Sequence, residues 1–151
     1  MITLQCKLEL NRKDWDILRD LMRRQSSCLR YAYNRLLEGK TRKELKKELQ
    51  SIFNINSRYV DDAILKAQAI INRFKEQKKN PKKVIFGSRK LFEKLAKKHL
   101  NGKDRKKLLS LWHEKRKYSL YSRGDKSKQG NLNTRILLEE QGTYLRINVG
   151  D

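Results

Sequence analysis

Between Arg73 and Lys128 the chain carries 21 Lys and Arg against 5 Asp and Glu, a local excess of +16 out of the whole chain's +21. Any compact fold must keep that charge on its surface, because like charges crowded on a small body repel one another. A polyanion relieves the repulsion through phosphate contact and release of its counterions, so nucleic acid is the partner this distribution points to. The core must come from the rest. With 37% hydrophobic and 36% charged residues among 151, the apolar positions have to be well placed. The length suits one domain, or one domain with an insertion. No run of about 18 apolar residues occurs, so no transmembrane helix is expected. Cys6 and Cys28 are the only cysteines and form no CxxC pair, which excludes a disulfide framework and a zinc knuckle and points to a reducing, cytoplasmic setting; with a nucleic-acid partner, a prokaryotic nucleoid-associated location is expected. Residues 1–10 lack an uninterrupted apolar stretch and do not read as a signal peptide.

Ile2, Leu4, Cys6, Leu8 and Leu10 alternate with Thr3, Gln5, Lys7 and Glu9, the period of two that predicts a half-buried strand. Residues 11–14 can cap the segment that follows. There Trp15, Leu18, Met22, Gln25, Leu29, Ala32 and Leu36 recur at spacings of three and four and mark one helix face. Gly39 is placed to end that helix. Thr41 and Glu44 form a capping box that opens a second helix through Leu45 and Leu49. Ser57 can cap a third, with Val60, Ile64, Ala67, Ile71 and Phe74 as its buried stripe, and Pro81 prevents its continuation.

The pattern then changes. Residues 83–86 read as a short strand, Leu91, Leu95 and His99 as a basic helix opened by Ser88, and Leu108, Leu111 and Trp112 as another. Residues 118–121, 132–138 and 144–149 are strand-like, the last two joined by a turn at Gln141 and Gly142. A first strand separated from its sheet by a helical block predicts an α+β chain, a small β-barrel interrupted after its first strand by an insertion of about three helices.

The segment 119–135 is the most unusual stretch. It mixes Arg123, Lys126, Lys128 and Arg135 with Gly124, Gly130, Asn131 and Asn133. Glycines admit a phosphate close to the backbone, amides can read base or sugar edges, and cations neutralise charge. The alternative is a solvated surface loop. Basic runs at 78–90 and 94–107 flank Phe86 and Phe92, and for any single lysine there a solvent-facing role is the better reading, though nothing acidic balances the set. Tyr31 or Tyr33, beside Arg35, must face away from the apolar stripe, where it could stack on a base or sit half-buried. Catalytic groupings are sparse. His99 and His113 have no ligand partner at helical spacing. Asp61 and Asp62 are helical neighbours pointing to different faces, so they cannot form a two-metal site alone; Asp62 could orient a nearby cation. No phosphate-binding loop, nucleophile elbow or metal motif occurs, and no cofactor is expected.

Four segments, in order, resemble the N-terminal part of the TnpB family of transposon-encoded RNA-guided DNA endonucleases, relatives of the compact type V CRISPR effectors. They are Leu29-Arg-Tyr-Ala-Tyr-Asn-Arg-Leu-Leu-Glu-Gly-Lys40, Asn56-Ser-Arg-Tyr-Val-Asp-Asp-Ala-Ile64 through Lys66-Ala-Gln68, Lys83-Val-Ile-Phe-Gly-Ser-Arg-Lys-Leu-Phe92 and Ser122-Arg-Gly-Asp-Lys-Ser-Lys-Gln-Gly-Asn-Leu-Asn-Thr-Arg135. The resemblance implies a wedge domain, an oligonucleotide-binding-like barrel, interrupted by a helical recognition lobe. Residues 1–10 would be the first wedge strand, 11–81 the lobe and 82–151 the rest of the wedge with a basic helical excursion.

The same resemblance implies that the chain grips a structured guide-type RNA and contacts target DNA or the guide–target duplex, reading shape and backbone while base pairing reads sequence. The family's RuvC-like nuclease domain lies further along, and these residues are expected to hold none of its metal-binding acids, so the chain is expected not to be an enzyme by itself. A RuvC-like catalytic chain is then a further candidate partner, in a split nuclease; a stand-alone DNA-binding regulator is the other reading. The candidate RNA-binding residues are Arg89, Lys90, Arg123, Lys126, Lys128, Asn131, Asn133 and Arg135. On the outer parts of the third helix, Tyr59, Lys66, Gln68 and Arg73 are candidates for DNA contact.

Overall fold

A computed structural model describes residues 3, 5–97, 101–117, 119–124 and 130–150. The chain is α+β. Five helices, α1 (Arg12–Leu37), α2 (Arg42–Phe53), α3 (Ser57–Glu76), α4 (Arg89–Leu95) and α5 (Gly102–Lys117), precede a hairpin of β1 (Thr134–Glu139) and β2 (Gly142–Ile147). None of these helices is long and apolar enough to cross a membrane.

The core is the packing of α1, α2 and α3. Leu21, Cys28 and Ala32 of α1, Leu45 and Leu49 of α2, and Tyr59, Val60, Ala63, Ile64, Ala67 and Ile71 of α3 bury one another. Each fully buried leucine or isoleucine contributes roughly 1.5–3 kcal/mol relative to an exposed one. The α3 stripe is the expected one, except that Phe74 is only half-buried. On α1 the buried face is rotated from the expected stripe. Leu18, Gln25 and Ala32 are buried as expected, joined by Leu21, Ser26, Cys28 and Tyr33, while Trp15 is 44% exposed.

The helix ends follow from local chemistry. Asn11 Oδ1 accepts from Asp14 N–H at 2.9 Å to cap α1. Thr41 and Glu44 form the expected capping box on α2. Asn56, not Ser57, caps α3, its Oδ1 accepting from the N–H groups of Arg58 and Tyr59, each at 3.1 Å. Pro81 does not end α3. The helix stops at Glu76, Lys78 turns left-handed at φ 52°, and Pro81 instead opens a single 3-10 turn, Pro81–Lys83.

Several expected strands do not form among the described residues. Thr3 and residues 5–10 lie outside any sheet and are exposed, Leu8 and Leu10 included. Alternation predicts a strand only where a neighbour offers a ladder, and the sheet of the described residues is two-stranded, β1 beside β2. Residues 84–86 pass as irregular chain that packs Phe86 edge-on to Tyr33, with ring centroids 5.1 Å apart. Residues 119–121 are likewise irregular, their hydrogen bonds going to side chains of α1. Tyr118 and His99 lie outside the described residues. The hairpin forms one residue out of the expected turn, with Glu140 and Gln141 as the loop and Gly142 opening β2 at φ 148°. Gly87, at φ 96°, lets the chain pass against α5, where a Cβ would come within 2.6 Å of Arg116 Cγ. There Phe92 of α4 meets Trp112 at 5.6 Å and the Arg116 guanidinium lies 4.3 Å from the Trp112 ring.

Candidate nucleic-acid interface

The segment between α5 and β1 is fastened to the helical block by side chains that stand in for a ladder. The Gln25 amide donates to the Tyr121 carbonyl and accepts from the Tyr121 N–H at 2.6 Å. Ser26 Oγ donates towards the carbonyls of Lys117 and Ser119, at 3.2 and 3.0 Å. Arg30 donates to the Arg116 carbonyl at 2.7 Å. On α3, Asp62 Oδ2 accepts from the Arg123 N–H at 3.1 Å, and Asn56 Nδ2 donates to Asn133 Oδ1 at 3.1 Å.

These ties leave a cleft of about 200 Å³ between α3 and the segment, lined by Arg42, Arg58, Asp61, Asp62, Arg123 and Asn131 among others. A second cavity of about 580 Å³ adjoins it and shares Leu132 and Asn133 as a wall, with Arg135 and Arg146 on its far side. Five arginines therefore line the two adjoining cavities, which together form an arginine track. Of these, Arg42 is ion-paired to Asp61 at 3.0 Å, and the other four have no carboxylate partner among the described residues. The two carboxylates of the cleft differ. Burial works against the charge on Asp61, but hydrogen bonds from Lys46 and Arg42 outweigh it and hold its carboxyl below the ordinary value. Burial pushes the Asp62 carboxyl up, and the Arg123 N–H only partly offsets this.

Of the expected RNA-contacting residues, Arg123 and Arg135 reach the track. Asn131 and Asn133 sit at it but are spent on the fold. Asn131 Oδ1 accepts from Ser122 Oγ and from the N–H groups of Asn133 and Thr134, at 3.0, 2.9 and 3.1 Å, an Asx-type turn that starts β1. Asn133 is buried. Arg89 and Lys90 are exposed at the start of α4, away from the cleft, and Arg89 pairs with Glu93 at 2.8 Å. Lys126 and Lys128 lie outside the described residues.

The expected DNA-contacting set divides. Tyr59 is not on the outer part of α3: it is 1% exposed, its hydroxyl donates to the Asn148 carbonyl at 2.9 Å, and burial pushes its phenol up to about 12. The helical period turns it inward with Val60 and Ala63, one turn on. Lys66 is half-buried with its ammonium 4.5 Å from the Tyr121 ring centre, and burial lowers its affinity for the proton. Gln68 is exposed and donates to Asn72 at 2.9 Å. Arg73 shares a groove with Lys79, Lys83 and Arg89 on the opposite end of α3. Arg42, Arg58 and Arg146 were not anticipated. Arg58 follows the α3 cap directly, and Arg146 falls opposite Arg135 once a two-residue loop sets the register.

The class that fold and site define is an α+β protein whose helical core carries an arginine-lined track. Its family can be stated: the SSO2105 N-terminal domain family matches residues 1–151, and the chain belongs to it. No curated protein and no solved structure matches the chain.

Proposed function

We propose that this chain is a nucleic-acid-binding module that grips a structured RNA of the guide type along the arginine track and contacts target DNA. The observation that carries the reading is the track itself, with Arg58, Arg123, Arg135 and Arg146 around two adjoining cavities and without a carboxylate partner among the described residues. Arg135 and Arg146 are register partners on one face of the hairpin. Like charges placed directly opposite in a ladder destabilise it, and a bound phosphate reverses the sign of that effect. In this reading the hairpin belongs to an oligonucleotide-binding-like barrel, and the resemblance to TnpB nucleases supplies the RNA-guided setting, with cutting left to a RuvC-like segment or chain.

The test is to sequence the RNA that co-purifies with the tagged protein from its native locus. One enriched structured RNA, retained through a wash at moderate salt, is the expected result. A featureless mixture lost in that wash would overturn the guide-binding reading and leave a general polyanion binder.

A further inference from the structure

The cleft beside α3 is not a simple phosphate cradle, because a carboxylate forms part of its wall. Asp62 is 8% exposed and lines the cleft. Its Oδ2 accepts from the Arg123 N–H, while Oδ1 has no partner among the described residues. Its neighbour Asp61 has both oxygens engaged, Oδ1 by Arg42 at 3.0 Å and Oδ2 by Lys46 at 2.7 Å. Among the described residues, the carboxylate oxygen left open to the cleft is therefore that of Asp62, on a side chain otherwise largely buried. Arg58 and Arg123, which have no ion pair among the described residues, line the same cleft, with Leu65 and Leu132 supplying apolar wall. Acceptor, cations and apolar surface in about 200 Å³ suit one nucleobase with its phosphate, and are too small for a duplex.

We propose that this cleft takes a single unpaired guanine nucleotide of the bound RNA, its Watson–Crick edge donating to Asp62 and its phosphate meeting Arg58 or Arg123. Guanine is the base whose edge carries two adjacent donors, N1–H and the 2-amino group. Adenine and cytosine set one amino group beside a ring acceptor, and uracil sets one N–H between two carbonyls, so each brings an acceptor against the carboxylate. Unstacked bases in single-stranded segments are read on this edge, with arginine planes stacking on their faces. A bare phosphate is disfavoured because it would bring like charge to Asp62. The inference rests on the nucleic-acid-binding reading and adds a base preference to it.

The test is fluorescence anisotropy of the whole chain with oligouridine RNAs eight nucleotides long carrying one central G, A, C or U, at fixed moderate salt. The central-G probe should bind about 10-fold tighter than the others, the discrimination one well-made base-edge pair supplies. Inosine in place of the guanine removes the 2-amino group and should lose most of that preference, without any change to the protein. Asp62→Asn, checked for folding by its melting curve, should bring the G and U probes to the same affinity. Equal binding of all four probes, or a G preference that survives both inosine and Asp62→Asn, overturns the guanine site alone. If no probe binds, the nucleic-acid reading falls with it.

Discussion

The side-chain amide of Gln25 pairs with the backbone of Tyr121 in both directions, donating to its carbonyl and accepting from its N–H, across 96 positions of sequence. A glutamine in the middle of α1 thus does the work of a neighbouring strand. Ser26, the next residue, adds bonds to the carbonyls of Lys117 and Ser119. The arginine-bearing segment is positioned by α1 and α3 rather than by a sheet.

Gln25→Leu should therefore leave two backbone groups unpaired at a half-buried site. The expected loss is about 2–3 kcal/mol, a fall in melting temperature of roughly 5–10 °C for a chain of this size. Thermal unfolding followed by circular dichroism reads it directly, and an unchanged melting point would mean the segment is held some other way.

Replacing Arg135 and Arg146 together by Ala should act in opposite directions on the free and bound protein. The free chain gains a few tenths of a kcal/mol at low salt, because two opposed like charges are removed from the ladder. RNA affinity falls, and the slope of log affinity against log salt flattens by roughly 1.5–2 if both meet phosphates. Titrations at several salt concentrations give both numbers, and an unchanged slope would remove these residues from the interface.

The adjacent carboxylates should respond oppositely to neutralisation. Asp61 is held below its ordinary value by Lys46 and Arg42 despite burial, so its contribution is present above the unfolded-state value and is lost as pH falls through the folded one. Asp62 is raised by burial, so its contribution is present only below the unfolded-state value and is lost as pH rises through the raised one. At pH 7, Asp61→Asn should lower the melting temperature and Asp62→Asn should raise it. Towards pH 3 the difference between the two variants should shrink. Melting curves at both pH values decide, and variants that move together at neutral pH would contradict the assignment.

Thiol labelling should separate the two cysteines. Cys28 is buried and its thiol is pushed up to about 12 by desolvation, whereas Cys6 is exposed. Since the thiolate is the reacting species, one thiol should label quickly in the native protein and the second only in denaturant. Two fast thiols without denaturant would show that the α1 core opens.

The three-helix core was legible in the sequence because its signals are local. The Thr41–Glu44 capping box and the α3 stripe from Val60 to Ile71 are written in residues three and four apart. The face of α1 was less so. Its buried set includes Gln25 and Ser26, polar residues whose burial is explained only by the carbonyls of residues 117, 119 and 121. Tyr59 misled for a related reason: a tyrosine one turn into an amphipathic helix can face either way, and Asn148 decides it from 89 positions off. The alternation of residues 1–10 is a pattern in search of a partner, and pattern alone cannot supply the neighbouring edge. Arg123 and Arg135 were found through composition, while Arg58 and Arg146 needed the cleft and the register to stand out.

The hairpin itself is bare: Ile136 is 71% exposed and Leu138 81%. Beside the Tyr59 hydroxyl on the Asn148 carbonyl, one planar amide ties its base to α3. Asn56 accepts two backbone N–H groups with its oxygen to start α3, and with its nitrogen it donates to Asn133, which in turn accepts from the Asn148 N–H at 2.8 Å. Aspartate at this position could begin the helix but not hold the hairpin, serine would be too short to span both, and lysine could reach the hairpin but not begin the helix. Helix initiation and hairpin docking are thereby spelled with a single letter, and position 56 is one at which the twenty-residue alphabet leaves almost no synonym.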